Sequence, residues 1–330
     1  MNLLVASGSI LAGLILLMGG GDMLVRGAVR LAERMRVSPA MVGTVIVGFG
    51  TSVPELAAAV DAALSGAAPI AWGNVAGSNI ANSLFILGTA ALFFPIATSD
   101  FSAWRDPLIG LGAALVLLAC AVFNWQTMWA GLALIAMVIA YVAWCYSLET
   151  RGAVAAMTSG AHSRAEALEM ADKRIHAPLD GYGKPLLFLL AGLVLLVIGA
   201  RMLIAGASEL ALAAGLSQTV VGLTVVAIGT SLPELVTSVV AAKRGQGGIA
   251  LGNILGSNIY NILGIGGAAL LLAPHSIPGE FAGFEFPLVV FLAALLFLFV
   301  LLRITISRLL GVILLAAYIG YIAQALLPQS

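Results

Sequence analysis

The sequence predicts an all-α integral membrane protein of ten transmembrane helices, arranged as two inverted five-helix repeats with helices 2 and 7 broken. Three observations predict it. Of 330 residues, 61% are hydrophobic and only 9% charged, against roughly 25% charged in soluble domains. Ten apolar runs approach the length of about 20 residues that a spanning helix needs. Residues 42–88 also align without a gap to residues 221–267, and about half of the paired positions are identical.

In order, the runs are 3–25, 40–64, 73–94, 107–123 and 128–147, then 184–210, 219–242, 250–273, 286–302 and 306–326. Hydrocarbon cannot satisfy backbone polar groups, and no barrel-like alternation is present, so the runs read as helices. Met1 to Met18 has no basic residue before its apolar core and no small-residue cleavage site after it. It reads as a span and not as a removable signal. Pro95, Pro107, Pro185, Pro274 and Pro287 stand at run ends, where helix punctuation belongs. Cys120 and Cys145 lie in apolar runs and read as buried, inert thiols. Between the fifth and sixth runs, Glu149 to Gly183 is polar and of mixed charge, a solvated linker with a short surface helix at 163–175. His162 and His176 fall in it and read as solvated side chains, not as metal ligands. The expected organisation is a repeat at 1–148, a cytoplasmic linker at 149–183 and an inverted repeat at 184–330.

Basic residues orient the chain. Arg26, Arg30, Arg34 and Arg36 follow the first run, and Arg105 follows the third. Arg151, Arg164, Lys173, Arg174 and Lys184 lie between the fifth and sixth, Lys243 and Arg244 follow the seventh, and Arg303 and Arg308 separate the last two. With the N-terminus outside, all of these are cytoplasmic and only Arg201 departs. Both termini are then extracytoplasmic, and the membrane is the cell (inner) membrane. Five spans, an odd number, precede the second half, so the two aligned segments face opposite ways. Inverted repeats with interrupted helices are a signature of secondary transporters, whose ion sites lie near the midplane.

The aligned segments carry the chemistry. Gly48-Phe49-Gly50-Thr51-Ser52-Val53-Pro54-Glu55 is matched by Ala227-Ile228-Gly229-Thr230-Ser231-Leu232-Pro233-Glu234. The same offset takes Asn74, Ser78 and Asn82 to Asn253, Ser257 and Asn261. A carboxylate at the bilayer centre costs roughly 2.5–3.5 kcal/mol on insertion scales and marks a pathway or a bound partner. Pro54 and Pro233 each remove a helix hydrogen bond, to the carbonyls of Gly50 and Gly229. Such a break can be an ordinary kink; beside Thr51, Ser52 and Glu55 on one helix face it reads as a wall of a cavity. Asn74, Ser78 and Asn82 share one face of the next helix. Asn79 and Asn258 fall off that face and read as packing residues, as do Gly73, Gly77, Gly252 and Gly256. Asp22 and Arg26 form an i, i+4 pair.

Hydroxyls, amides, carbonyls and two glutamates make an all-oxygen site suited to hard cations. Two carboxylates neutralise one Ca²⁺ or two monovalent ions, and protons can serve as the load as well. Emptied together in a desolvated site they would cost several kcal/mol, which favours exchange over leak. An intramembrane enzyme using Ser52 or Ser231 is the remote alternative. Its motifs hold no histidine or lysine to activate the serine, so no enzyme is expected. A passive channel is the third class.

Gly-Thr-Ser-x-Pro-Glu followed by Gly-Asn-x-x-Gly-Ser-Asn-Ile-x-Asn, twice, resembles the two α-repeats of the cation/Ca²⁺ exchanger superfamily, and its prokaryotic Na⁺/Ca²⁺ exchangers most. The resemblance implies Na⁺/Ca²⁺ antiport, with H⁺/Ca²⁺ or another cation pair as the alternative. It implies that the first and sixth helices slide across the core. By motif position the ligands would be Thr51, Ser52, Glu55, Ser78, Asn82, Thr230, Ser231, Glu234 and Ser257, with the carbonyls of Gly48 and Ala227. Asn261 occupies the ligand position where well-known exchangers of this type carry Asp, which removes a potential third negative charge. Beyond the transported ions Ca²⁺ and Na⁺ and the lipid bilayer, no cofactor is expected. The net charge of zero points to no nucleic-acid partner, and a monomer is expected.

Overall fold

The computed structural model describes residues 3–35, 37–98, 104–150, 182–215 and 227–325. Among them the chain is helical, with one isolated antiparallel bridge between Ile96 and Ile306. Helix α1 is Leu3–Met35. Helices α2 (Pro39–Thr51) and α3 (Val53–Leu64) meet at a 43° bend. Then come α4 (Ala68–Phe93), α5 (Arg105–Val122), α6 (Met128–Thr150) and α7 (Gly183–Ala213). The short α8 (Ala227–Thr230) precedes α9 (Leu232–Lys243). They are followed by α10 (Gly247–Leu272), α11 (Glu285–Leu301) and α12 (Arg308–Ala325). Seven of these helices are long and apolar enough to cross a membrane, eight if the bent pair is one span. The chain is thus an all-helical, multi-pass membrane protein.

The first span runs about ten residues past its apolar stretch, because Arg30-Leu31-Ala32-Glu33 are good helix formers and carry the helix out of the bilayer. Residues 216–226 and 151–181 lie outside the described residues, and with them most of the predicted linker, His162 and His176, and the start of the seventh run.

The least apolar spans are the most buried. Helices α4 and α10 have a mean hydropathy of 1.4, yet 78% and 89% of each span is covered by protein, against 22–39% for the other spans. Polar side chains in hydrocarbon are tolerated when they face the bundle interior, so this pair forms the core.

Helices α1 and α7 pack antiparallel through bare backbone. Gly13 lies against Gly199, and Gly20 against Gly192. A Cβ added at Gly13, Gly20, Gly27, Gly192, Gly199 or Gly206 would come within 3 Å of backbone on the other helix. Smaller seams repeat the device: Gly88 meets Gly311, and Gly131 meets Gly267. Gly252 and Gly256 admit α2, whose Ala40 and Thr44 lie against them. The positions equivalent to Ala40 and Thr44 in the second copy, 219 and 223, lie outside the described residues, and among the described residues a Cβ added at Gly73 or Gly77 meets nothing within 4 Å.

The Asp22–Arg26 pair forms at 2.8 Å, and Arg244, at the end of α9, joins it through Asp22. All three side chains are partly exposed, so the network should contribute little. Arg244→Met is expected to cost no more than about 1 kcal/mol, seen as a small drop in thermal midpoint in detergent.

Candidate functional site

Two matched breaks build the site. Pro54 has no N–H for Gly50, and α2 gives way to α3 at Ser52, whose backbone sits at φ −86°, ψ 7°. Ser231 holds the same place between α8 and α9, at φ −88°, ψ 7°. Each break puts a glutamate in the first turn of the helix that follows, Glu55 in α3 and Glu234 in α9. The N-terminal end of a helix favours negative charge.

The two copies meet side chain to side chain. Ser52 Oγ donates to Glu234 Oε1 at 3.1 Å. Ser257 Oγ donates to the Gly48 carbonyl at 3.2 Å. Asn261 Nδ2 donates to Ser78 Oγ at 2.9 Å, and Thr51 Oγ1 reaches Asn253 Oδ1 at 3.2 Å. The approach of α2 to α10 depends on glycine: a Cβ on Gly48 would lie 2.8 Å from Ser257 N and 3.0 Å from the Asn253 carbonyl.

Asn74 and Asn253 serve as struts. Asn74 Nδ2 donates to the Glu55 carbonyl at 2.8 Å. Asn253 Nδ2 donates to the Glu234 carbonyl at 3.3 Å and to Ser238 Oγ at 3.0 Å. Each asparagine ties the turn that bears a glutamate to the neighbouring core helix.

Four oxygens in this cluster are buried with no hydrogen-bond partner among the described residues: Glu55 Oε2, Glu234 Oε2, Asn82 Oδ1 and Asn261 Oδ1. They are equivalent pairs in the two copies. Both asparagines spend their amide nitrogens on protein, Asn82 on Asn258 Oδ1 at 3.0 Å and Asn261 on Ser78. Their oxygens stay available. A buried acceptor without a partner costs about 1–3 kcal/mol, and more when charged. Carboxylate and amide oxygens are the ligand types that hard cations take. With the nearby hydroxyls and carbonyls the donor set suits Ca²⁺, which takes 6–8 oxygens.

The predicted residues fall as follows. Thr51, Ser52, Glu55, Ser78, Asn82, Ser231, Glu234, Ser257 and Asn261 are buried, none more than 7% exposed. Thr230 is half-buried. Ala227 opens α8, and its side chain lies outside the described residues. The Gly48 carbonyl also accepts from Ser52 N at 3.3 Å.

Two features went unread in the sequence. Residues Val42–Val47, Ala81–Ile86 and Asn261–Ile265 form π-helical turns, so Asn82 and Asn261 sit where the core helices widen. Such turns are frequent at functional sites. Asn258, expected to be a packing residue, bridges the two core helices by holding the Asn82 amide.

The chain is similar to known proteins along most of its length. The family described as "Sodium/calcium exchanger protein" matches residues 5–147 and 184–327. The "Putative antiporter CaxA" of Alkalimonas amylolytica is 35% identical over 325 residues, covering 97% of this chain and 98% of the relative. The "Sodium/calcium exchanger MaX1" of Methanosarcina acetivorans is 32% identical over 342 residues, covering 95% of this chain and 96% of the relative. A solved structure of the sodium-calcium exchanger NCX_Mj, soaked with zero Na⁺ and Ca²⁺, superposes with a TM-score of 0.80 at 31% identity, covering 98% of this chain and 100% of that one.

Proposed function

The chain belongs to the sodium/calcium exchanger family, and from that premise we propose that it is a secondary antiporter exchanging Na⁺ for Ca²⁺ at a mid-membrane, all-oxygen site. One observation carries the reading. Four buried oxygens without partners, two carboxylate and two amide, come in equal shares from the two copies. Glu55, Glu234, Asn82 and Asn261 supply them. Thr51, Ser52, Ser78, Thr230, Ser231 and Ser257 and the carbonyls of Gly48 and Ala227 complete the ligand set.

The physics of the cycle follows from charge. Two ionised glutamates facing each other in a desolvated site are costly to carry across the bilayer empty. One Ca²⁺ or two Na⁺ neutralise them, and the loaded site can then change sides. Ca²⁺ and Na⁺ compete for the same carboxylates, so each drives the other out. Protons are the rival counter-ion.

The ten-span layout accounts for the helices described. α2 with α3 and α8 with α9 are the two broken spans, and α12 is the tenth. Inversion of the halves is supported by the glycine seams: Gly13 and Gly20 of α1 lie against Gly199 and Gly192 of α7, each the repeat equivalent of the other's partner. The positive-inside pattern supports both termini outside and the 149–183 linker in the cytoplasm; the protein is a monomer of the cell (inner) membrane.

Sealed vesicles test the counter-ion. Ca²⁺ uptake driven by an outward Na⁺ gradient, and not by a pH gradient, is the expected result. Uptake driven equally by a pH gradient without Na⁺ would assign the counter-ion to protons.

Asn261 sets the charge of the loaded site. Asn261→Asp is expected to add a third negative charge and to draw a further monovalent ion into each cycle. The check is a Ca²⁺-dependent current in vesicles, absent or small in the parent and raised in the variant.

A further inference from the structure

An amide is a useful cation ligand only if its oxygen, and not its nitrogen, faces the ion. Something must hold it that way round, because the two ends are nearly isosteric. For Asn261 the Ser78 hydroxyl does so. For Asn82 the partner is Asn258, on the other core helix and outside the site. Asn82 Nδ2 donates to Asn258 Oδ1 at 3.0 Å, and Asn258 Nδ2 donates to Ser83 Oγ at 3.0 Å.

Such a chain of amides could run in either direction unless one end is fixed. Beside Asn258 and Ser83 lies a cavity of about 10 Å³, lined also by Asn79, Gly110, Val289 and Leu296. That volume is room for about one water. Asn79 is 2% exposed. Its Nδ2 donates to the Val75 carbonyl at 2.7 Å, and a carbonyl can only accept. Asn79 Oδ1 therefore faces the other way, buried and without a partner among the described residues. It needs a donor.

We infer that one resident water in this cavity donates to Asn79 Oδ1 and accepts a hydrogen bond from the Ser83 hydroxyl, and that Asn258 passes this polarity on to Asn82. Ser83 then offers Asn258 a lone pair. Asn258 must present its oxygen to Asn82, and the Asn82 oxygen is left to the ion. Ser83 and Asn258 are positioning residues: neither touches the cation. The relay belongs to one copy alone, since the repeat equivalent of Ser83 is Ile262, which has no hydroxyl. This rests on the reading of Asn82 as an ion ligand.

The test is Ca²⁺ uptake into proteoliposomes, reading KM and the maximal rate for Asn82→Ala, Asn258→Leu, Ser83→Ala and the doubles with Asn82→Ala. Asn258→Leu and Ser83→Ala should each raise KM for Ca²⁺ by about three- to tenfold, the size of one neutral hydrogen bond, with the maximal rate per folded protein within about twofold. In the Asn82→Ala background neither should add anything, because the residue they act through is gone. Ser83→Ala keeps the test alive should Asn258→Leu fail to fold. A normal KM in both single variants, or penalties that add to that of Asn82→Ala, would overturn the relay and leave the ion site standing. Full activity of Asn82→Ala would remove the ligand reading itself. In a high-resolution crystal structure, density for one water between Asn79 Oδ1 and Ser83 Oγ is expected, and a dry cavity would overturn the water link.

Discussion

Glu234→Gln is expected to abolish Ca²⁺ transport, and Glu55→Gln to do the same. Glutamine keeps the volume and one oxygen, so the packing around Ser52 and Asn253 survives. It removes half the charge that neutralises the ion and turns one acceptor into a donor aimed at a cation. Removing one member of a buried charged pair costs about 2–5 kcal/mol, and each 1.4 kcal/mol is a factor of ten. Transport should therefore fall by roughly 30-fold to several thousand-fold. The measurement is Na⁺-driven Ca²⁺ uptake, beside a thermal midpoint showing that the variant still folds. Retained full uptake in either variant would take that glutamate out of the site. Ser52 gives a finer check: it donates to Glu234 from the opposite copy, so Ser52→Ala should weaken Ca²⁺ uptake far less than loss of the carboxylate does.

The second large effect is structural. Gly192→Val should push α1 from α7. A Cβ at Gly192 would lie 2.5 Å from Leu24 N and 2.7 Å from the Gly20 carbonyl. Both are backbone atoms of a regular helix and cannot swing aside. Overpacking a core commonly costs about 1–3 kcal/mol when side chains can adjust; here they cannot, and at least about 3 kcal/mol is expected. A steep loss of folded yield and of thermal midpoint in detergent would register it. Gly19→Val is the control: Gly19 lies on the facing helix α1, beside Gly20, with nothing within 4 Å of its added Cβ, and it should be tolerated. Equal behaviour of the two variants would show that the seam contributes no packing energy.

Much of this architecture was readable before any coordinates. Hydrocarbon discourages polar groups so strongly that Thr51, Ser52 and Glu55, set among valines and glycines, stand out without alignment, and the second copy repeats them. Pro54 and Pro233 located both helix breaks. The contacts between copies were not readable. Nothing local tells Ser52 that its partner is Glu234, or Asp22 that Arg244 will join Arg26. Nor did helical periodicity foresee the π turns, since it assumes the turn it is used to detect. The glycines of α1 were visible as composition, but their meaning depends on which helix lies opposite.

Those glycines have a mechanical consequence. They recur at 13, 20 and 27 on one helix and at 192, 199 and 206 on the other, every seventh residue, or about 10.5 Å along the axis. Moving one helix along the other by less than that distance would drive a leucine or isoleucine into a notch cut for hydrogen. The next matching register is a third of a bilayer away. The two rods are therefore keyed together, and any displacement that opens one face of the bundle must carry both as a single piece, with slip confined to their outer surfaces.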